Sequence, residues 1–170
     1  MRFELLKILL VDDSQHMRTM ITEILRAVGV RHIAQAHDGS EALNVMRYEP
    51  VDIVIADLAM SPVDGIDFVR LLRNSPDSPN HLCPVIMMSG HSTERRVGEA
   101  RDAGVNTFIA KPITARGVLE RIAEVVDHPR PHARSSDYFG PDRRRRNDPT
   151  YSGPRRRAQD HVAPHDIDDA

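Results

Sequence analysis

A carboxylate at the end of an apolar run is costly unless something compensates or uses it, and this sequence places acids there twice. Asp57 follows Val51-Asp52-Ile53-Val54-Ile55-Ala56, and Asp12-Asp13 follow Lys7-Ile8-Leu9-Leu10-Val11. Val105-Asn106-Thr107-Phe108-Ile109-Ala110 ends in Lys111-Pro112, and Val85–Ser89 ends in a hydroxyl beside Gly90. Three acids, a lysine and a serine at strand ends suit phosphoryl and metal chemistry. Aspartate can form an acyl phosphate, which makes Asp57 the candidate nucleophile. Converging carboxylates repel one another and favour taking up a proton, a balance that a bound divalent cation reverses. Oxygen ligands without nearby histidine or thiol favour Mg²⁺. Phosphoryl transfer asks mainly for positioning and charge neutralisation. Mg²⁺ on one side of the transferred group and Lys111 on the other would provide both, with Ser89 bonding a further oxygen and Gly90 leaving room. Singly, each feature has a plainer account: acids beside a helix start, a turn aspartate, a solvated lysine, a Ser-Gly turn. Their joint placement at the ends of four strands sets them apart.

The elements that must position these residues are legible from periodicity. Strand-like runs at Lys7–Val11, His32–Ala36, Val51–Ala56, Val85–Ser89 and Val105–Ala110 alternate with helical patterns. The third and fourth runs are nearly continuous in apolar residues, as expected of parallel strands covered on both faces. The second is more polar and suits a sheet edge. Met17, Met20, Ile21, Ile24, Leu25 and Val28 mark a first helix, with Ser14 as N-cap and Gly29 as stop. Ala42, Leu43, Val45 and Met46 mark a second, and Ile66, Val69 and Leu72 a third. Thr93–Ala103 is a fourth and weakly amphipathic helix, and Val118, Leu119, Ile122, Val125 and Val126 mark the fifth. Strands alternating with helices of this length imply repeated βαβ units and one parallel sheet with helices on both faces. Functional groups in such sheets collect at the carboxyl ends of the strands, where Asp12, Asp13, Asp57, Ser89 and Lys111 fall.

Composition narrows the class. The chain has 170 residues and a formal net charge of −2, and no apolar run nears the ~20 residues of a membrane span. The N-terminus lacks a signal-peptide layout, which makes the cytoplasm the expected location. Cys83 is the single cysteine, so no intrachain disulfide forms, and it is expected as a small buried hydrophobe. Residues 1–127 hold fourteen basic and eighteen acidic side chains, which gives no reason to expect DNA binding there.

The pattern collapses after Asp127. Residues 128–170 contain six prolines, nine arginines and seven aspartates with few large apolar side chains. They are expected to form a disordered tail appended to a domain of residues 1–127. Gly140-Pro141-Asp142-Arg143-Arg144-Arg145 is echoed by Gly153-Pro154-Arg155-Arg156-Arg157. The tail's arginines could meet acidic protein, RNA or anionic lipid, and Tyr138, Phe139 and Tyr151 could anchor a short linear motif. No helix-turn-helix or metal-finger spacing appears, so no DNA-binding domain is expected and the tail's partner is open.

From these residues the chain resembles a response-regulator receiver domain of the CheY type over roughly residues 5–127. Asp57-Leu58-Ala59-Met60-Ser61-Pro62-Val63-Asp64-Gly65 matches that family's phosphoacceptor loop in length and at Asp57, Met60, Asp64 and Gly65. It departs at Ser61, with proline one place late, and at Val63. The resemblance implies a flavodoxin-like, doubly wound five-stranded parallel sheet in the order 2-1-3-4-5 with five helices. It implies that Asp57 accepts a phosphoryl group from a sensor histidine kinase or histidine phosphotransfer protein, with self-catalysed phosphorylation and dephosphorylation and no turnover of a separate substrate. Asp13, Asp57 and the backbone carbonyl of Ala59 would bind Mg²⁺ directly, and Asp12 through a water. Ser89 would be the switch hydroxyl and Phe108 the switch aromatic. Pro112 would follow a cis bond that aims Lys111 into the pocket. Ala59 and His91 fall where the family tunes dephosphorylation. The output face would be the fourth helix, fifth strand and fifth helix, where Arg95, Arg96, Arg101 and Arg116 would lie. The contrasting reading is an unphosphorylated interaction module of the same shape, whose basic tail docks a protein, RNA or membrane.

Overall fold

The central strands carry apolar residues at successive positions, and the sheet they build is covered on both faces. The computed structural model describes residues 2–90 and 94–142. After a short 3-10 turn at Phe3–Leu5 come β1 (Lys7–Val11), α1 (Gln15–Ala27), β2 (His32–Ala36), α2 (Gly39–Tyr48), β3 (Ile53–Asp57), α3 (Gly65–Asn74), β4 (Val85–Ser89), α4 (Glu94–Ala103), β5 (Thr107–Ala110) and α5 (Ala115–Asp127). The five strands pair in the order β2-β1-β3-β4-β5, every pairing parallel. This is the expected doubly wound fold, with the polar β2 at an edge.

Because side chains alternate across a strand, each run feeds two cores. Leu9, Val11, Val54, Ala56, Val85 and Met87 pack with Ala42, Met46, Phe68, Leu72 and Ala100 of α2, α3 and α4. Ile8, Leu10, Ile53, Ile55, Ile86 and Met88 pack with Ile21 and Leu25 of α1 and with Val118, Ile122 and Val125 of α5. A one-residue slip would exchange the two sets, so register and strand-end alignment are tightly specified. Helix starts are set by side chains that satisfy a free amide, each worth about 1 kcal/mol. Ser14 accepts from Met17, Asp38 from Glu41, Asp64 from Asp67 and Thr114 from Gly117. β3 begins two residues later than expected because Asp52 turns to β1: its N–H donates to the Lys7 carbonyl and its carboxylate accepts from the Lys7 N–H, at 2.8 and 2.9 Å. Among the described residues no helix is long and apolar enough to cross a membrane.

The chain does not lose structure at Asp127. β6 (His132–Ser135) and β7 (Tyr138–Pro141) form an antiparallel hairpin, with β7 against α3 and α4. The expectation of one disordered segment from 128 onward is corrected for residues 132–141; residues 143–170 lie outside the described ones. The hairpin is held by a few specific contacts. Phe139 lies beside His81 and His132, at ring separations of 6.1 and 5.7 Å, and under the Arg134 guanidinium at 4.9 Å. The Tyr138 hydroxyl donates to the Pro141 carbonyl at 2.6 Å. Gly140 meets the main chain of Gly104 so closely that a Cβ there would stand 2.8 Å from the Gly104 Cα. Gly140-Pro141, the head of the duplicated motif, is thus a packing element.

Beneath the hairpin lies Arg73 of α3, with no exposed surface. Its guanidinium donates to the carbonyls of Gly104 and His81 and to Asn106 Oδ1. Burial lowers its pKa to about 10, so it stays charged at neutral pH. Cys83 is buried as expected, and burial pushes its thiol up to about 12.

Gly140→Ala is expected to cost about 1–3 kcal/mol through overpacking, read as a lower denaturation midpoint with accelerated amide exchange across 132–141. His132 supplies a pH test. Burial first, and the Arg73 charge second, lower it from 6.5 to about 4. The neutral ring is the one the fold accepts, so its stabilisation is full above pH 6.5 and declines as pH falls toward 4. The His132 ring should titrate near pH 4 by NMR, and His132→Phe should flatten that part of the pH–stability profile.

Candidate functional site

The register carries four strand ends to one edge of the sheet. Val11 lies beside Ala56, Asp57 beside Met88, and Ser89 beside Ala110. Asp12 and Asp57 therefore follow one another on neighbouring strands, and Lys111 emerges two strands away. Asp57 is the last residue of β3 and 6 % exposed; Asp12 is 1 % exposed. Asp13 is exposed. Carboxylate oxygens from all three lie within 4.8 Å of one another. The Lys111 ammonium stands 2.9 Å from Asp57 Oδ1 and 3.9 Å from Asp12 Oδ2. Lys111 is held there by its backbone N–H, which donates to the Ser89 carbonyl at 2.8 Å, and the Lys111–Pro112 bond is cis.

Asp12 is fixed by the start of α1. Its Oδ1 accepts from the Ser14 N–H at 2.8 Å, and its carbonyl accepts from Arg18 at 2.6 Å. Its Oδ2 is buried with no hydrogen-bond partner among the described residues. Burial foremost, with repulsion from Asp57 and Asp13, raises its pKa against the opposing Ser14 N–H and Lys111. A buried carboxylate oxygen lacking a donor, aimed among two further carboxylates, is what a cation site needs. The cluster can therefore coordinate a divalent metal.

Ser89 is buried at the end of β4, its hydroxyl a long 3.5 Å from the Gly90 carbonyl. Phe108 is half-buried on the face shared with α4, with Arg101 6.0 Å over its ring. Ala59 is exposed in the loop after Asp57. His91 lies outside the described residues. Gly65 opens α3 so close to the strand that a Cβ there would collide with the Asp57 carbonyl and stand 3.1 Å from Leu58 Cα, which accounts for glycine at that place in the loop.

One contact was not anticipated. Arg96 was expected on the output face, yet it bonds Asp64, the N-cap of α3, at 2.9 Å and lies 3.4 Å from Glu99. Against burial, which would raise it, the Asp67 N–H and Arg96 hold Asp64 below the usual carboxylate range. The pair links α4 to the loop that carries Asp57. Its only trace in the sequence is the cap residue itself, since thirty-two positions separate the partners. Arg95 and Arg116 are exposed and paired along their own helices with Glu99 and Glu120.

Known proteins resemble this chain in sequence and in fold. The family profile described as "Response regulator receiver domain" matches residues 8–123. The chemotaxis protein CheY of Pseudomonas aeruginosa is 35 % identical over 122 residues, covering 72 % of this chain and 97 % of the relative. Chemotaxis protein CheY-3 of Vibrio cholerae is 34 % identical, with 72 % and 92 % covered. Among solved structures, Vibrio cholerae CheY4 matches with a TM-score of 0.65 at 27 % identity, covering 71 % of this chain and 98 % of that one. A sensor histidine kinase receiver domain from Pseudomonas aeruginosa, with a magnesium ion coordinated in its active-site cleft, matches with a TM-score of 0.61 at 26 % identity over 70 % and 94 %. With this fold, this aspartate cluster and these matches, the chain belongs to the CheY-like response-regulator receiver family.

Proposed function

We propose that the protein is a phosphoacceptor switch of a two-component relay, working through protein contacts in the cytoplasm. The observation that carries this is the Lys111 ammonium 2.9 Å from Asp57 Oδ1, within a group of three carboxylates. The donor is the phosphohistidine of a sensor histidine kinase or phosphotransfer protein. An Asp57 carboxylate oxygen attacks phosphorus, the P–N bond breaks, and the histidine nitrogen keeps the electron pair and takes a proton. Asp13, Asp57 and the Ala59 carbonyl would hold Mg²⁺, with Asp12 acting through a water, and the bound ion would supply positive charge against the phosphoryl oxygens. Lys111 shifts from the Asp57 carboxylate to a phosphoryl oxygen, and the Ser89 hydroxyl donates to another. Phe108 repacks in response, which alters the α4–β5–α5 face presented to a downstream protein.

The donor and metal assignments draw support from the CheY relatives and from the magnesium reported in the kinase receiver domain. A small phosphodonor with Mg²⁺ should label the chain, and Asp57→Asn should abolish the label; labelling that survives would assign the nucleophile elsewhere. Lys111→Ala should slow labelling by about 10²-fold, as removal of one charge-stabilising donor does. Asp12→Asn should separate two roles of the acid. It relieves repulsion and raises the metal-free denaturation midpoint, while calorimetric Mg²⁺ affinity falls by about 10- to 100-fold, as for an outer ligand.

A further inference from the structure

A groove of about 620 Å³ runs between α4, β5, the end of α5 and the hairpin. Val105, Phe108 and Pro141 give it apolar surface, and Arg101, Arg121 and Arg130 line it with cations; Asp102 is the one acid in the lining. Arg101 is exposed. Arg121 and Arg130 converge on a single carboxylate, Glu124, at 2.7 and 3.3 Å, which occupies few of their ten combined N–H donors. The hairpin closes one side, and the family profile ends at residue 123, before it. This wall is an addition to the shared receiver.

The chain leaves the rim of this groove. Asp142, next to the lining residue Pro141, donates its N–H to the Pro131 carbonyl at 2.8 Å. Arg143–Arg146 and Arg155–Arg157 follow, and an arginine-lined groove repels them. Residues 158–170 are of opposite character. They contain no lysine or arginine, and Asp160, Asp166, Asp168 and Asp169 surround Val162 and Ile167. We propose that this chain's own acidic segment, Asp160–Asp169, docks in the hairpin-walled groove, its aspartates on Arg101, Arg121 and Arg130 and Ile167 on the apolar floor. Twenty-four positions separate Asp142 from Asp166, and a chain that spans at most about 3.3–3.6 Å per residue is long enough over that count to return to the groove. Exposed ion pairs are individually weak, but tethering raises the local concentration to the millimolar order. The segment would compete with any external partner for the surface beside Phe108. The inference stands on the groove alone and is independent of whether Asp57 takes up a phosphoryl group.

A nitroxide on Ala163→Cys in the full chain tests it, with buried Cys83 staying unlabelled. The amides of Gly98, Arg101 and Phe108 should lose signal several-fold in low salt and recover at about 1 M salt, where the screening length is about 3 Å. Asp166→Asn, Asp168→Asn and Asp169→Asn together, which change none of the described residues, should also restore the signal. The proposal is overturned if the groove amides keep full intensity, if broadening persists in the triple variant, or if it arises only between molecules when nitroxide-bearing and isotope-labelled chains are mixed.

Discussion

Carboxylates crowded at a buried sheet end, with one ammonium to answer them, set the terms for the rest of the molecule. Lys111 reaches Asp57 closely and Asp12 only at 3.9 Å, so one acid is paired and another is left with an unsatisfied oxygen. Such an arrangement survives only because the sheet is over-determined. Both faces of every central strand are packed, and no strand can slide to spread the charges apart. The tension is held at the place where a cation and a phosphoryl group would use it.

The opposite end of the sheet handles a buried charge differently. Arg73 is fully enclosed, yet its donors meet neutral oxygens of Gly104, His81 and Asn106. Hydrogen bonds, and among the described residues no facing carboxylate, compensate it. A cation satisfied on several sides has little reason to move, whereas the carboxylate cluster keeps one buried oxygen, Asp12 Oδ2, with no hydrogen-bond donor among the described residues. The two ends of one domain therefore divide into a responsive rim and a fixed base, and the hairpin is fastened to the base.

Much of this was legible in the sequence. The five strands, the edge position of β2, the Ser14 cap and the gathering of Asp12, Asp13, Asp57 and Lys111 follow from apolar periodicity and from where polar residues interrupt it. The hairpin was not legible. Its strands are four residues long, Gly140 and Pro141 read as breakers, and its energetics rest on Phe139 and on a glycine-to-glycine contact thirty-six positions apart. The Asp52 bonds to Lys7 and the Arg96 link to Asp64 were missed for the same reason. Composition and local pattern carry no record of a partner brought near only by the completed fold.

The Gly104–Gly140 contact also changes what counts as the domain. The shared family pattern stops at residue 123, but the surface of this chain at that point is still unfinished. A chain ended there would turn the covered side of Gly104 to water and remove Phe139 from beside the ring of His81, whose carbonyl holds Arg73. The inherited unit and the physically complete unit differ by about twenty residues, and water at the base of α3 is what tells them apart.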